Sequence, residues 1–135
     1  MKKYLLILTL ALLADFSSKA QDDGKDKIRD KMREFIQKRL NLTRNEAERF
    51  TPVFIRYFRE WKQTLHDNRA DVLVRQQKII ELRLRYRTEF RDIVGEKRSN
   101  DVYKQQDIFI REIKEMREEQ IRVRRTERPT TNKPF

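Results

Sequence analysis

The chain offers few of the side chains from which enzymes build active sites. It has no cysteine and one histidine, His66, in 135 residues. No serine or threonine lies in a nucleophile-elbow sequence, and no glycine-rich loop that could cradle a phosphate is present. The carboxylates are interleaved with arginine and lysine, which is typical of ion pairs on a solvated surface. We expect no enzymatic activity and no cofactor, because no set of mutually supporting catalytic roles can be assigned.

A metal site would need more ligands than the sequence places together. Transition metals prefer several imidazole, thiolate or carboxylate ligands at close spacing. His66 has only Asp67 beside it, while Met32 and Met116 lie in apolar stripes, where methionine usually fills core space. We predict that His66 is a surface histidine near a helix end and that the chain binds no metal.

Basic side chains are the most prominent chemistry of this sequence. The chain has 33 lysines and arginines against 22 aspartates and glutamates, for a net charge of +11. Its arginines crowd into residues 83–91 and 117–128. In an intracellular protein such clusters would favour nucleic acid as the partner. In an exported protein they favour anionic lipid, acidic polymers or acidic proteins, and they also serve simply to keep a protein soluble.

The first 20 residues have the three parts of a secretory signal peptide. Met1-Lys2-Lys3 is a positive start, residues 4–14 form an apolar run, and Ser18-Lys19-Ala20 resembles a cleavage site. An uncleaved membrane anchor is the alternative, but the run is far shorter than the about 20 residues that span a bilayer. We predict cleavage after Ala20 and a periplasmic location, which removes nucleic acid as a partner. Cleavage would remove three lysines and one aspartate, lowering the net charge from +11 to +9.

Apolar residues at three- and four-residue steps predict an all-α fold of four helices in the remaining chain. Two glycines and three prolines leave little turn chemistry for a sheet. We predict one elongated arrangement of helical hairpins over residues 21–125, followed by a disordered basic tail over 126–135. The predicted helices run from about Asp26 to Leu40, from Thr43 to about Asp67, from Asp71 to Ile93 and, after a turn at Gly95, from Glu96 or Ser99 to Arg125.

The second predicted helix has the clearest start and the most aromatic face. Thr43 and Glu46 have the spacing of a capping box, in which each side chain bonds the backbone N–H of the other residue. Pro52 lacks an N–H and clashes with the preceding turn, which predicts a kink. The aromatic stripe continues past Pro52, so we expect one bent helix. The stripe consists of Ala47, Phe50, Phe54, Tyr57, Trp61 and Leu65.

The third predicted helix has an apolar seam at seven-residue steps, with Leu82 beside it, that can pack lengthwise on another helix. Leu73, Ile80 and Leu84 lie off this seam and widen the apolar surface. One layer of four helices cannot bury every stripe, so we predict a homodimer. The seam consists of Val72, Ile79, Tyr86 and Ile93.

Leu42-Thr43-x-x-Glu46 resembles the LTxxQ motif of the Spy/CpxP family of periplasmic stress proteins, with Glu in place of Gln. Including Phe50 and Pro52, the pattern is similar to a version common in small secreted proteins of the Bacteroidetes type. The resemblance covers residues 25–125, although no second Leu-Thr motif occurs near Gly95. It implies a cradle-shaped dimer that holds unfolded proteins without ATP. It also implies a structural role for Leu42, Thr43, Glu46, Phe50 and Pro52.

The expected function is that of an ATP-independent chaperone of the envelope stress response, which binds unfolded proteins through a basic and apolar surface. One alternative is a periplasmic regulator, including a metal-responsive one, that docks on a membrane sensor or anti-sigma partner. Another is a protein that binds the anionic surface of the envelope. Client contact is expected on exposed apolar and arginine residues of helices 1, 3 and 4, and the named candidates lie on helix 3, where apolar and arginine residues alternate. The predicted client-binding residues are Ile80, Leu82, Arg83, Leu84, Arg85 and Arg87.

Overall fold

The computed structural model describes residues 27–128, which form four helices joined by short turns. No strand occurs in this range, so the prediction of an all-α fold is confirmed. The predicted signal peptide and the last seven residues of the predicted tail lie outside the described residues. The helices are α1, residues 27–39; α2, Arg44–Asp67; α3, Val72–Val94; and α4, Glu96–Thr126.

The turn between α1 and α2 ends the first helix with a left-handed residue. Asn41 has a φ of 50°, a conformation that asparagine tolerates better than most residues. Its N–H donates to the Lys38 carbonyl at 3.2 Å, and the Leu42 N–H donates to the Gln37 carbonyl at 3.1 Å. These two bonds form a Schellman motif, which satisfies the last carbonyls of α1. Asn41 therefore directs the chain back into α2.

The predicted capping box at the start of α2 is confirmed. The Glu46 N–H donates to the Thr43 hydroxyl at 3.2 Å, and the Thr43 N–H donates to the Glu46 carboxylate at 3.0 Å. Pro52 lies inside the single helix Arg44–Asp67, so the prediction of one helix across this proline is confirmed. The kink at Pro52 stays a prediction. The neighbouring Thr51 hydroxyl donates to the Ala47 carbonyl at 2.8 Å, a bond that often accompanies helix bending.

The core is built around the aromatic face of α2. Phe50 contacts Phe90 of α3 with ring centroids 5.3 Å apart, and Tyr57 contacts Tyr86 at 5.4 Å and Tyr103 of α4 at 5.5 Å. Such pairs contribute about 0.5–1.5 kcal/mol each beyond the burial of their area. The aromatic rings therefore hold α2, α3 and α4 together at the Gly95 end of the bundle.

Helix α1 closes the core from the other side. Met32 and Ile36 are buried, and the Phe35 ring lies 5.4 Å from the Phe109 ring of α4. The Gln37 amide donates to the Thr51 hydroxyl at 3.3 Å and links α1 to α2. Helix α1 is therefore in contact with both α2 and α4.

The buried face of α3 differs from the predicted seam. Val72 is exposed, although it lies on the predicted apolar face, because it begins α3 at the end farthest from the Gly95 turn, beyond the last buried layer. Ile79 and Ile93 are only partly buried. The seam prediction is therefore wrong for Val72, and Ile79 and Ile93 contribute only part of their surface to the core. The buried residues of α3 follow four-residue steps instead: Leu82, Tyr86, Phe90 and Val94.

Gly95 is the whole connection between α3 and α4. Its φ of 87° and ψ of 168° belong to a region that essentially only glycine occupies. Its N–H donates to the Arg91 carbonyl at 2.9 Å, and its carbonyl accepts from the Ser99 N–H at 3.0 Å. The predicted turn is confirmed, and one residue both ends α3 and begins α4.

Both long helices extend beyond the core at the opposite end of the bundle. α3 has no buried residue before Leu82, and α4 has none after Phe109. α4 has 31 residues, which corresponds to a length of about 46 Å. All of its residues from 114 to 126 are exposed. Among residues 27–128, most of the large exposed apolar side chains lie in these two segments.

Candidate functional site

One face of α3 presents a continuous line of exposed side chains that changes from apolar to basic. Its members follow the three-, four- and seven-residue spacing of a single helix face. The apolar members, Leu73, Ile80 and Leu84, are 76%, 58% and 51% exposed. The basic members, Arg87 and Arg91, lie one and two turns nearer to Gly95 and are also exposed. We call these five residues the α3 stripe.

Four of the six predicted client-binding residues are exposed in the structure. Ile80, Leu84 and Arg87 belong to the α3 stripe. Arg85 is exposed as well, but one residue in a helix turns about 100°, so Arg85 projects well away from the stripe. Consecutive apolar and basic residues along α3 therefore do not share one surface, and only those at helical spacing do.

The prediction that Leu82 contacts clients is wrong. It is 0% exposed and belongs to the core, so it is not available for client contact. Ile80 and Leu84 are each two residues away, which places them about 200° around the helix from Leu82. The helical period therefore divides the predicted group into an inward and an outward part.

The prediction that Arg83 contacts clients is also wrong, because its side chain bonds to another helix of the bundle. Its side chain is 21% exposed and forms an ion pair with Asp107 of α4, with Nη2 and Oδ1 2.6 Å apart. A second bond joins Nη1 to Oδ2 at 3.2 Å, so the pair is bidentate. Nη2 also donates to the Gln106 side-chain oxygen at 3.2 Å. Arg83 therefore links α3 to α4 instead of facing a client.

The Arg83 contact is part of a buried polar cluster that joins three helices. The Tyr57 hydroxyl of α2 and the Arg83 guanidinium both donate to Oε1 of Gln106, a residue that is completely buried. Burial raises the pKa of Tyr57 to about 12. Burial favours a lower pKa for Arg83, but the hydrogen bonds and charges of Asp107 and Tyr57 raise it overall. The cluster keeps Tyr57 neutral and Arg83 charged.

Sequence reasoning missed this cluster. Its signal was available in α4, where Gln106 interrupts an apolar stripe between Val102 and Phe109. A polar residue at a core position must find partners, since burying an unpaired amide is costly. Its Oε1 has two donors, whereas its Nε2 has no partner among the described residues. Only the folded chain shows which residues supply those donors.

The motif residues lie at the joint of α1, α2 and α4. Phe50 is completely buried, whereas Pro52 is exposed. The Glu46 carboxylate that caps α2 also forms an ion pair with Arg98 of α4, whose Nη1 lies 3.2 Å from Oε1. The hydrogen bond from Arg98, followed by that from Thr43, lowers the pKa of Glu46. The motif therefore connects the first helical joint to the last helix.

A groove of about 700 Å³ lies beside the same joint. Phe35, Leu42 and Phe109 contribute its apolar lining, and Lys31 and Lys38 stand at its edge. The groove is wide and open. Leu42 of the motif is thus partly accessible from this side, which sequence reasoning did not predict.

The exposed part of α4 carries a second group of apolar side chains. Met116, Ile121 and Val123 are all exposed, so the apolar stripe predicted to continue through Met116 is not buried within this chain. Residues 112–119 contain four glutamates, and residues 122–128 contain four arginines. The segment therefore combines exposed apolar side chains with an acidic first half and a basic second half.

His66 lies in the last turn of α2 and is exposed, as predicted for a surface histidine. Between residues 27 and 128, no group of three or more His, Cys, Asp or Glu side chains is arranged to hold a metal ion. Within the same range, no helix has the length and apolar content that crossing a bilayer requires.

Comparison of the chain with protein-family models, with curated proteins and with solved structures finds no match in any of the three.

Proposed function

We propose that this chain is a periplasmic stress protein that holds unfolded proteins without ATP, with the α3 stripe as its client-binding surface. The observation that carries the proposal is the arrangement of three exposed apolar side chains, Leu73, Ile80 and Leu84, in line with two exposed arginines. The signal-peptide pattern supports export, and the Leu42-Thr43-x-x-Glu46 motif supports a relation to Spy/CpxP-like proteins.

The stripe suits a client whose sequence is not specified in advance. Burial of apolar area contributes about 25 cal/mol per Å² whichever apolar segment covers it. The arginines attract the acidic residues of an approaching chain and increase the rate of encounter. Arg83 does not take part, because Asp107 already neutralises its charge. Exposed apolar side chains without a partner in this chain are typical of interaction surfaces.

A homodimer is part of the same proposal. The apolar side chains on the exposed segments of α3 and α4 are not buried by any described residue, and a second copy could cover some of them. Sedimentation at micromolar concentration should show a dimer. A monomer at all concentrations would contradict this part of the proposal.

The second candidate is a regulator that docks on a membrane sensor or anti-sigma partner. The observation that favours it is the exposed segment of α4, whose apolar side chains and separate charged halves suit the groove of one particular partner. A regulator of this kind would form one stable complex and would not protect unrelated proteins.

The decisive experiment is the suppression of aggregation of an unrelated, chemically denatured protein, followed by light scattering. The double variant Ile80→Ser/Leu84→Ser changes the α3 stripe, and Met116→Ser/Val123→Ser is its matched control on α4. We expect the stripe variant to lose most of the suppression and the control to retain it. Absence of suppression by the unmodified chain would refute the chaperone function. Equal loss in both variants would refute the assignment to α3.

A further inference from the structure

A second site lies in the cleft between α3 and α4, next to the Gly95 turn. The cleft has a volume of about 160 Å³ and is lined by side chains of both helices. α3 contributes Arg87 and Arg91, and α4 contributes Glu96, Ser99 and Asn100. Its lining is thus polar, unlike the apolar end of the α3 stripe, and it contains two guanidinium groups one helical turn apart.

The two arginines of the cleft form no ion pair with a described residue, although Glu96 lies in the same lining. Along the same α3–α4 interface, Arg83 is paired with Asp107, but Arg87 and Arg91 form no ion pair with any residue from 27 to 128. Like charges four residues apart on a helix destabilise it slightly. Two unneutralised guanidinium groups that converge on one cleft are therefore an arrangement that an anion would stabilise.

The start of α4 adds to the positive potential of the cleft. No side chain caps this helix, because its N-cap is Gly95, so the N–H groups of its first turn lack a side-chain acceptor. The macrodipole of a helix also favours negative charge at its N-terminus. The Asn100 amide supplies a further neutral donor at the edge of the cleft.

We propose that the Arg87–Arg91 cleft binds a phosphate group. Arginine presents a planar set of donors that matches phosphate oxygens, and a doubly charged phosphate balances two guanidinium groups. Glu96 is the one acidic side chain in the lining. Its negative charge repels a phosphate and therefore lowers the affinity. This site goes beyond the proposed function, because phosphate binding requires no unfolded client.

The test uses the full mature chain and inorganic phosphate, titrated at constant ionic strength and followed by isothermal calorimetry and amide chemical shifts. Saturable binding should perturb the amides of residues 95–100 and weaken about tenfold in Arg87→Gln and in Arg91→Gln. Arg85→Gln is the matched control, because it removes the same charge from an exposed arginine that forms no ion pair with residues 27–128 and does not line the cleft. It should change the affinity less than twofold, and Glu96→Gln should tighten binding several-fold.

Gln is a good helix former, so these variants should keep the helical circular-dichroism spectrum. An equal effect of Arg85→Gln and Arg87→Gln would overturn the site, because binding would then reflect net charge alone. Tighter binding of acetate than of phosphate would overturn the choice of ligand. Vesicles with phosphatidylglycerol identify the source. If Arg87→Gln weakens binding to the vesicles more than binding to inorganic phosphate, the natural ligand is a lipid headgroup. If it weakens only the binding of inorganic phosphate, the natural ligand is a free phosphate.

Discussion

Leu82 and Leu84 form a natural pair for separating stability from binding, since they are two residues apart on α3 and differ mainly in exposure. Leu82 is 0% exposed and Leu84 is 51% exposed. Leu82→Ala removes three carbons from the core, which costs about 2.4 kcal/mol at about 0.8 kcal/mol per buried CH₂. The cavity left behind adds to this, so we expect a loss of about 3 kcal/mol in the free energy of unfolding. Leu84→Ala creates no enclosed cavity and should cost at most about 1 kcal/mol.

The assay is urea unfolding followed by the circular-dichroism signal of the helices. A urea m-value of about 1–3 kcal/mol/M turns 3 kcal/mol into a midpoint about 1–3 M lower for Leu82→Ala. All variants must be compared at one protein concentration, since a dimer gains stability with concentration. The aggregation assay supplies the second measurement. Leu84→Ala should weaken client capture at almost unchanged stability, whereas Leu82→Ala should retain capture under conditions where it stays folded.

An equal decrease of the urea midpoint in Leu82→Ala and Leu84→Ala would contradict the assigned difference in burial. That result would mean that the outward face of α3 is buried in solution, for instance against a second copy of the chain. If Leu84→Ala left both stability and capture unchanged, the α3 stripe would have no part in binding clients.

Four further results are expected. Thr43→Ala should lower the free energy of unfolding by about 1 kcal/mol through loss of the α2 cap, and an unchanged urea midpoint would contradict this. Gly95→Ala should cost about 1–3 kcal/mol, because alanine tolerates a φ of 87° and ψ of 168° poorly, and an unaltered thermal midpoint would count against the strain. Tyr57 has its pKa raised to about 12 from 10.0, so the folded state keeps a proton that the unfolded state loses. The contribution of Tyr57 to stability should therefore be constant below about pH 10 and fall between pH 10 and 12, and Tyr57→Phe should reduce that fall in parallel pH titrations. Client capture should slow between 0.1 and 1 M salt, as the Debye length falls from about 10 to about 3 Å, while release stays unchanged. Arg87→Gln/Arg91→Gln should reproduce the slower capture in stopped-flow traces, and faster release instead would show that these charges hold the client.

The local features of the fold follow from short stretches of sequence. Thr43 and Glu46 predict the start of α2 because a capping box needs only residues three apart. Gly95 predicts the turn because few other residues adopt its backbone conformation. The predicted ends of α2 and α3 agree with the structure to within one residue for the same reason, since caps and turns depend on neighbours along the chain.

The candidate surface followed from the sequence only in part. The spacing of Ile80, Leu84 and Arg87 was sufficient to place them on one face of α3. Leu82 was assigned to the same surface because apolar and basic residues were compared in sequence order instead of by helical angle. Exposed apolar and arginine residues were expected on the fourth helix as well, but not which part of its stripe is uncovered, because an apolar stripe does not reveal whether another helix covers it.

What the sequence determined by itself is the helical content, the caps and the Gly95 turn, since these depend on contacts within about four residues. The signal peptide and the Spy/CpxP resemblance remain predictions from the sequence. The tertiary structure alone decided which charges are paired. Arg83 pairs with Asp107, 24 residues away, and Glu46 pairs with Arg98, 52 residues away. Arg87 and Arg91 share a cleft and have no ion-pair partner among residues 27–128. Helical periodicity gives the direction of each side chain around its own axis. The side chain it meets depends on how the helices pack against one another, which local spacing does not encode.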